Sequence, residues 1–396
     1  MTSGVRYIKI VPLLFAAAAQ AGEWSGNVGG ELRLFPADPA HEGQRGNNLT
    51  FSIEPKYYHE WEALDQSVTL HSFLRIDLQD PERTHADFRE FYWQKIAETW
   101  ELRIGLRQVF WGVTESQHLV DIINQTDLIE DAYGEVKLGQ PMINLALIDR
   151  WGTLDLFLLP GFRERTFPGT RGRLRPPIPV DTDDAEYESG AKEHHVDWAI
   201  RWSHSIGDWD LGLSHFSGTS REPRLETRFG GSNFLKLVPY YDQIDQTGLD
   251  VQLTKGPWLW KLEAIHRSGQ AETYSALTAG FEYTFFGVFD TDADVGILAE
   301  YLYDSRNGDA PLPFENDLFL GTRIGFNDTQ TTELLAGAII DPDSGATAAS
   351  IEISRRLGSS WRLSVEARAF SSFPESDPGY VFRNDDYLQV ELAWHF

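Results

Sequence analysis

Residues 388–396 read Leu-Gln-Val-Glu-Leu-Ala-Trp-His-Phe, with apolar side chains at every second position and an aromatic residue at 396. A strand turns successive side chains to opposite faces, so this pattern describes one oily face and one polar face. The same alternation recurs along the chain. Val68, Leu70, Leu74, Ile76 and Leu78 form a row opposite His71, Arg75 and Asp77. Trp100, Leu102, Ile104 and Leu106 alternate with Glu101, Arg103 and Arg107, and Val196, Trp198, Ile200 and Trp202 with Asp197 and Arg201. Trp258, Trp260 and Leu262 alternate with Lys261 and Glu263. Leu318, Leu320, Ile324 and Phe326 oppose Arg323, and Trp361, Leu363, Val365 and Ala367 oppose Arg362, Glu366 and Arg368. Each run has the roughly 9–11 residues that a tilted strand needs to cross a bilayer. A soluble β-sandwich or β-propeller also alternates, but its strands are commonly about 5–6 residues long.

The joins between these runs alternate long and short. Tight turns are expected at 150–152, 206–208, 255–257, 327–328 and 357–359, and long joins after 111 and at 161–194, 219–239, 305–315 and 372–385. Long outer loops and short inner turns in alternation are the rhythm of an antiparallel up-and-down transmembrane barrel. The expected fold is all-β, a single barrel of about 18 strands (range about 14–18, because the regions 133–149 and 235–254 are weakly patterned). Helical period is weak throughout. The best helical candidate, 117–131, is expected to form a short helix or a loop folded into the lumen.

Composition fits this reading. Arg6 and Lys9 precede an apolar run over 10–19 and an Ala19-Gln20-Ala21 cleavage pattern, so 1–21 is expected to be a signal peptide and 22–396 the barrel. Losing Arg6 and Lys9 would move the formal net charge from −26 to −28. No later run of about 18 apolar residues offers a membrane helix. Thirteen Trp, 14 Tyr and 24 Phe suffice for aromatic girdles. The absence of cysteine excludes disulfides, thiolate metal sites and a cysteine nucleophile. So acidic a chain does not suit nucleic acid.

The run 388–396 is similar to the closing strand of bacterial outer-membrane β-barrels. The stretch 103–112, Arg-Ile-Gly-Leu-Arg-Gln-Val-Phe-Trp-Gly, followed by Ile-Ile-Asn-Gln-Thr-Asp-Leu at 122–128, resembles a family of uncharacterised porin-like outer-membrane proteins of Gram-negative bacteria. Arg107, Gln108, Trp111, Gly112, Asn124 and Asp127 carry the likeness, although Leu106 stands between Gly105 and Arg107. The alginate-export porins are a weaker resemblance. Both imply an outer-membrane location and no enzyme.

Pore-lining candidates are Arg75, Asp77, Glu101, Arg103, Arg107, Arg201, Glu263, Arg323, Arg362, Glu366 and Arg368, with Glu391. Their expected role is electrostatic selection of a small solute. The segment 112–131, with Trp111, Glu115, Asp121, Asn124 and Asp127, is the constriction candidate; its acids, with Glu130 and Asp131, are expected to face Arg103 and Arg107 across the lumen. The loop 161–194 groups Arg163, Arg165, Arg171, Arg173 and Arg175 ahead of Asp181, Asp183, Asp184, Glu186 and Glu188. Pairing within the loop, or solvation, is expected; the sharper alternative is anion capture at the mouth.

No cofactor and no metal are expected, since adjacent His194 and His195 point to opposite faces. Ser203, His204, Ser214 and His215 are poorly placed for a catalytic triad, and no nucleophile elbow, metalloprotease helix or phosphate loop is present. Expected partners are outer-membrane lipid and lipopolysaccharide, and the barrel-assembly machinery through Phe396. The sequence therefore describes a porin or channel for polar or amphipathic solutes, or alternatively a non-conducting barrel acting as adhesin or assembly scaffold.

Overall fold

A computed structural model describes residues 22–230, 235–306 and 315–396. The signal-peptide expectation for 1–21 lies outside them. In chain order the strands are β1 (Glu23–Leu34), β2 (Asn48–Trp61), β3 (Gln66–Asp77), β4 (His85–Ile96), β5 (Trp100–Arg107), β6 (Gln140–Asp149), β7 (Gly152–Pro160), β8 (Glu186–Tyr187), β9 (Val196–Ile206), β10 (Trp209–Thr219), β11 (Arg224–Phe229), β12 (Leu235–Tyr241), β13 (Gln243–Lys255), β14 (Trp258–Ser268), β15 (Tyr274–Phe285), β16 (Asp294–Asp304), β17 (Asn316–Gly325), β18 (Glu333–Ile340), β19 (Thr347–Leu357), β20 (Trp361–Ser371) and β21 (Tyr387–His395).

Eighteen of these strands form one sheet, each antiparallel to its chain neighbour. The sheet closes on itself through β1 and β21, paired from Asn27↔His395 to Leu34↔Leu388. The backbone N–H groups of Gly26 and Phe396 donate to each other's carbonyls at 3.1 Å, extending this closure to residue 396. Strand β8 and the hairpin β11–β12 form a separate three-stranded sheet within the long joins. The weakly patterned region 235–254 therefore resolves into β12, which leaves the wall, and β13, which belongs to it.

Alternation becomes inside and outside. On β17, Leu318 and Leu320 are 41% and 52% exposed, while Phe319 between them is 6% exposed and faces inward. A soluble protein has no use for so continuous an oily exterior. The belt has an aromatic rim at each end. Trp61, Trp151, Trp209, Trp361 and Trp394 stand near the short turns, and Phe51, Phe88, Trp198, Tyr301 and Tyr303 near the long joins. Between β3 and β4 the ladder slips at His71/Ser72, opposite Arg89. This bulge lets Phe88 and Phe91 both face outward while Arg89 is buried inside.

Two boundaries differ from expectation. β5 ends at Arg107 and β6 begins only at Gln140, so the join between them is longer than the sequence implied. No helix forms over 117–131; isolated turns such as Asp131 N–H to the Asp127 carbonyl remain, and Val120, Asp127 and Ile129 donate to acceptors outside the stretch.

Candidate functional site in the lumen

The join 108–139 runs along the inner face of the barrel wall. Asn124 acts as its clasp. Its Oδ1 accepts from Val109 N–H at 2.8 Å, and its Nδ2 donates to the carbonyls of Arg107 and Leu138, both at 2.8 Å. Asn124 thus ties the point where the segment leaves the wall, after Arg107, to the point where it returns, before Gln140. A chain with no ladder of its own must still satisfy its backbone, and two wall carboxylates do so. Glu263 accepts from the N–H of Val113 (2.7 Å), Thr114 (3.0 Å) and Val120 (3.1 Å), and from the Thr114 hydroxyl (2.7 Å). Glu300 accepts from the N–H of Glu115 and Ser116, both at 2.8 Å, and from the Ser116 hydroxyl at 2.5 Å. Gly112 permits the approach: its φ is +143°, and a Cβ there would sit 3.0 Å from the Glu263 Oε1.

Apolar packing completes the attachment. Trp111, Leu119, Val120, Ile122 and Ile123 bury themselves against Met142, Phe157, Phe216, Ile244 and Ile265 of the wall. Trp111 meets Phe157 edge to face at 5.6 Å, and Arg201 lies over its ring at 5.1 Å.

The far end of the segment is held by charge. Asp127, fully buried, pairs with Arg89 at 2.7 Å and accepts from the Thr166 hydroxyl at 2.7 Å. Glu130 meets Arg75 at 2.9 Å, and Arg75 and Arg83 both reach Glu31 at 2.8 Å, with Asp77 beside Arg83 at 3.4 Å. Asp121 pairs with Lys137 at 3.3 Å; burial pushes its carboxyl above the usual range, and the Lys137 charge acts against that shift.

The loop 161–194 lies over this layer. Arg163 pairs with Asp87 at 2.8 Å and Arg173 with Asp385 at 2.6 Å. Asp80 accepts from the N–H of Gly169 at 2.9 Å. Its carboxyl sits above the usual range because burial outweighs the hydrogen bonds from Gly169 and Glu82. The expected pairing within the loop is not what forms. Its acids Asp181 and Asp184 meet Lys236, and Glu186 meets Arg228, because the loops fold over one another.

Of the pore-lining candidates, Arg103 pairs with Glu101, and Arg107 donates to Asn144 at 3.1 Å. Neither faces the acids of the inward segment. Glu115 instead meets Arg323 at 2.5 Å and Lys261 at 3.6 Å, on the far arc of the wall. Arg201 forms a fork with Asp250 at 2.6 and 2.8 Å. Glu366 accepts from Arg368 (2.7 Å) and the Tyr387 hydroxyl (2.6 Å), and Arg368 also meets Glu352 at 2.7 Å. Arg362 is exposed and donates to Ser354 at 2.9 Å.

Along the arc β17–β21 the segment touches the wall through Glu115 and Tyr133 but does not fill the space beside it, and two cavities follow this arc. One of about 330 Å³ lies toward the long joins, between Tyr133 and His118 of the segment and Phe319, Ile339, Ala348, Ser350, Arg368 and Phe370 of the wall. The other, of about 490 Å³, lies toward the short turns, among Arg323, Glu333, Ser354, Arg362, Glu366, Gln389 and Glu391. Leu335 and Glu352 line both.

The architecture is that of outer-membrane β-barrels. Wzi of Escherichia coli, described as an outer-membrane protein involved in group 1 capsule assembly and a carbohydrate-binding β-barrel, matches 95% of this chain with 84% of its own, at 12% identity and a TM-score of 0.53. OmpT of Vibrio cholerae matches 96% of this chain with 99% of its own, at 7% identity and a TM-score of 0.46. A mutant porin of Rh. blastica matches 95% with 100%, at 10% identity and a TM-score of 0.44. At 12% identity the likeness to Wzi is one of fold. No protein-family model and no curated protein matches the chain.

Several residues that shape the lumen carried no readable signal in the sequence. Glu300 is a lone acid among alternating residues. Phe319, Gly337, Ile339 and Ala348 form an apolar stretch of inner wall where polar residues were expected. Tyr133 sits beneath Arg368 at 4.1 Å and stacks on Phe370 at 6.3 Å. Adjacent ladders bring Phe319, Ile339 and Ala348 together, and the inward path of the segment brings Tyr133 to Arg368 and Phe370.

Proposed function

We propose that this chain is an outer-membrane channel without enzymatic activity, passing small polar or amphipathic solutes along an eccentric route beside β17–β21. The observation that supports this reading is the pair of cavities sharing Leu335 and Glu352, which together extend from the long joins toward the short turns. Their walls combine apolar and small residues with the Arg368–Glu352 and Arg323–Glu115 pairs, an arrangement suited to orienting amphipathic solutes. In this reading lipid and lipopolysaccharide surround the belt, and the assembly machinery engages the strand ending at Phe396.

Conductance in planar bilayers tests the proposal. The wild-type protein should give small discrete steps, and Ser350→Trp should reduce them by filling the upper cavity. Steps that are unchanged in Ser350→Trp would refute the route.

A second reading, a non-conducting barrel serving as adhesin or scaffold, is favoured by the apolar core inside the barrel, which fixes the segment 108–139 against the inner wall. Electrical silence of a correctly folded protein would select it.

A further inference from the structure

On the other side of the inward segment lies a third cavity, of about 160 Å³. Five cations line it, Lys137, Arg165, Arg221, Arg267 and Arg306, against three carboxylates, Asp121, Glu222 and Asp304. This excess stands within a chain of formal charge −26. Four of the cations are matched. Lys137 meets Asp121 at 3.3 Å, Arg267 meets Glu222 at 3.2 Å and Arg306 meets Asp304 at 2.6 Å. Arg221 meets Asp197, which does not line the cavity, at 2.8 Å.

Arg165 is different. Among the described residues it forms no ion pair, and its Nε donates to the neutral amide oxygen of Gln125 at 3.3 Å. Two nearby donors are also unused. Arg221, 3% exposed, has no partner for its Nη2, and fully buried Gln125 has none for its Nε2. Arg165 is half-buried, and the opposite charge that acts on it, Glu222, is already paired with Arg267; guanidinium forks match the geometry of carboxylates and phosphates.

We infer that this cavity is an oxyanion-binding site, with Arg165 as the residue whose charge the ligand completes. Its volume is close to that of an engineered cavity of about 150 Å³ that holds benzene, so it takes a phosphate or the carboxylate end of a small acid and no polymer. His118 lines both this cavity and the upper one on the β17–β21 arc, so the site adjoins the proposed route. The inference stands apart from conduction, because it concerns binding at equilibrium.

Titration calorimetry of the full barrel in neutral detergent tests it at low ionic strength, with inorganic phosphate in one arm and glucuronate in the other. Saturable one-site binding of either anion is expected. The preferred arm separates an inorganic ligand from the carboxylate of an organic one. Arg165→Gln should weaken binding about ten- to a hundredfold, the worth of a hydrogen bond to a charged group. Arg150→Gln, exposed in a short turn and away from every cavity described, should leave it unchanged. Heat-modifiable gel mobility checks that each variant is folded; should Arg165→Gln not fold, Arg267→Gln serves in its place. No saturable binding of either anion, or wild-type binding in a folded Arg165→Gln, overturns the site.

Discussion

Two arcs of the same wall obey one alternation and end in opposite states. From β6 to β15 the inward positions include Met142, Phe157, Phe216, Ile244 and Ile265, and the segment 108–139 covers them. From β17 to β21 the inward positions include Phe319, Ile339 and Ala348 beside charges such as Arg323, Glu352 and Arg368, and they face open cavities. Apolar residues inside the barrel thus do not by themselves decide which arc is filled. The difference lies in acceptors. Glu263 and Glu300 stand where the segment's unpaired N–H groups arrive, and the β17–β21 arc offers its carboxylates to arginines.

The sharpest way to break this contrast is Glu263→Ala. It leaves three backbone donors of the segment without an acceptor, and loss of such a buried network costs about 3–5 kcal/mol. The segment should detach, with protease cleavage within 113–120 and larger conductance steps. A protease-resistant, unchanged Glu263→Ala would show that packing alone holds the segment. Packing is probed by Ile123→Ala, which should cost about 2–4 kcal/mol of local stability. Faster hydrogen exchange over 119–124 would report it.

Acidity offers a gentler lever. Burial alone would lower the pKa of His118, but Glu135 at 3.5 Å raises it above 6.5. Burial alone would raise that of Glu135, and the His118 hydrogen bond lowers it below 4.5. The histidine therefore contributes fully below pH 6.5 and loses its contribution as pH rises through its raised value. The glutamate contributes fully above pH 4.5 and loses its contribution as pH falls through its lowered value. Both act together between these limits, so moving from pH 6 to pH 9 should loosen the segment near 118 and 135. Hydrogen exchange should record this in the wild type, and His118→Gln should abolish the dependence.

The smallest expected effect compares the arcs by charge. Arg368→Glu should shift the reversal potential toward cation preference more than Arg103→Glu with Arg107→Glu, although it reverses one charge and not two. The opposite order would move the route to the β5–β7 side.

Much of the barrel was legible in the sequence. Strand number and inside–outside assignment follow from a period of two and from turn lengths, both local properties. What local pattern could not tell was partnership. Arg103 and Arg107 looked ready to oppose the acids of 112–131, but Glu101 and Asn144 lie nearer on the same wall. Asp127 meets Arg89, which reaches inward only because of a bulge that the alternation conceals. Val109 and Trp111 read as strand because their apolar character is spent on an interior core and not on lipid. The charges of 161–194 were visible and their partners were not, since Asp87 on β4, Lys236 on β12 and Asp385 ahead of β21 are distant in the chain.

The closure between β1 and β21 also has a kinetic consequence. Every other ladder of the wall joins successive wall strands, with β8 or β11–β12 intervening only at β7–β9 and β10–β13, so those pairs can form as soon as their two halves exist. This one joins the most distant pair, and pays the largest loop-closure entropy for it. Until Asn27 meets His395, the growing sheet presents two bare edges that could pair with another molecule. Insertion should therefore behave as a slow, all-or-none final step, and a chain shortened by its last strand should accumulate as aggregate.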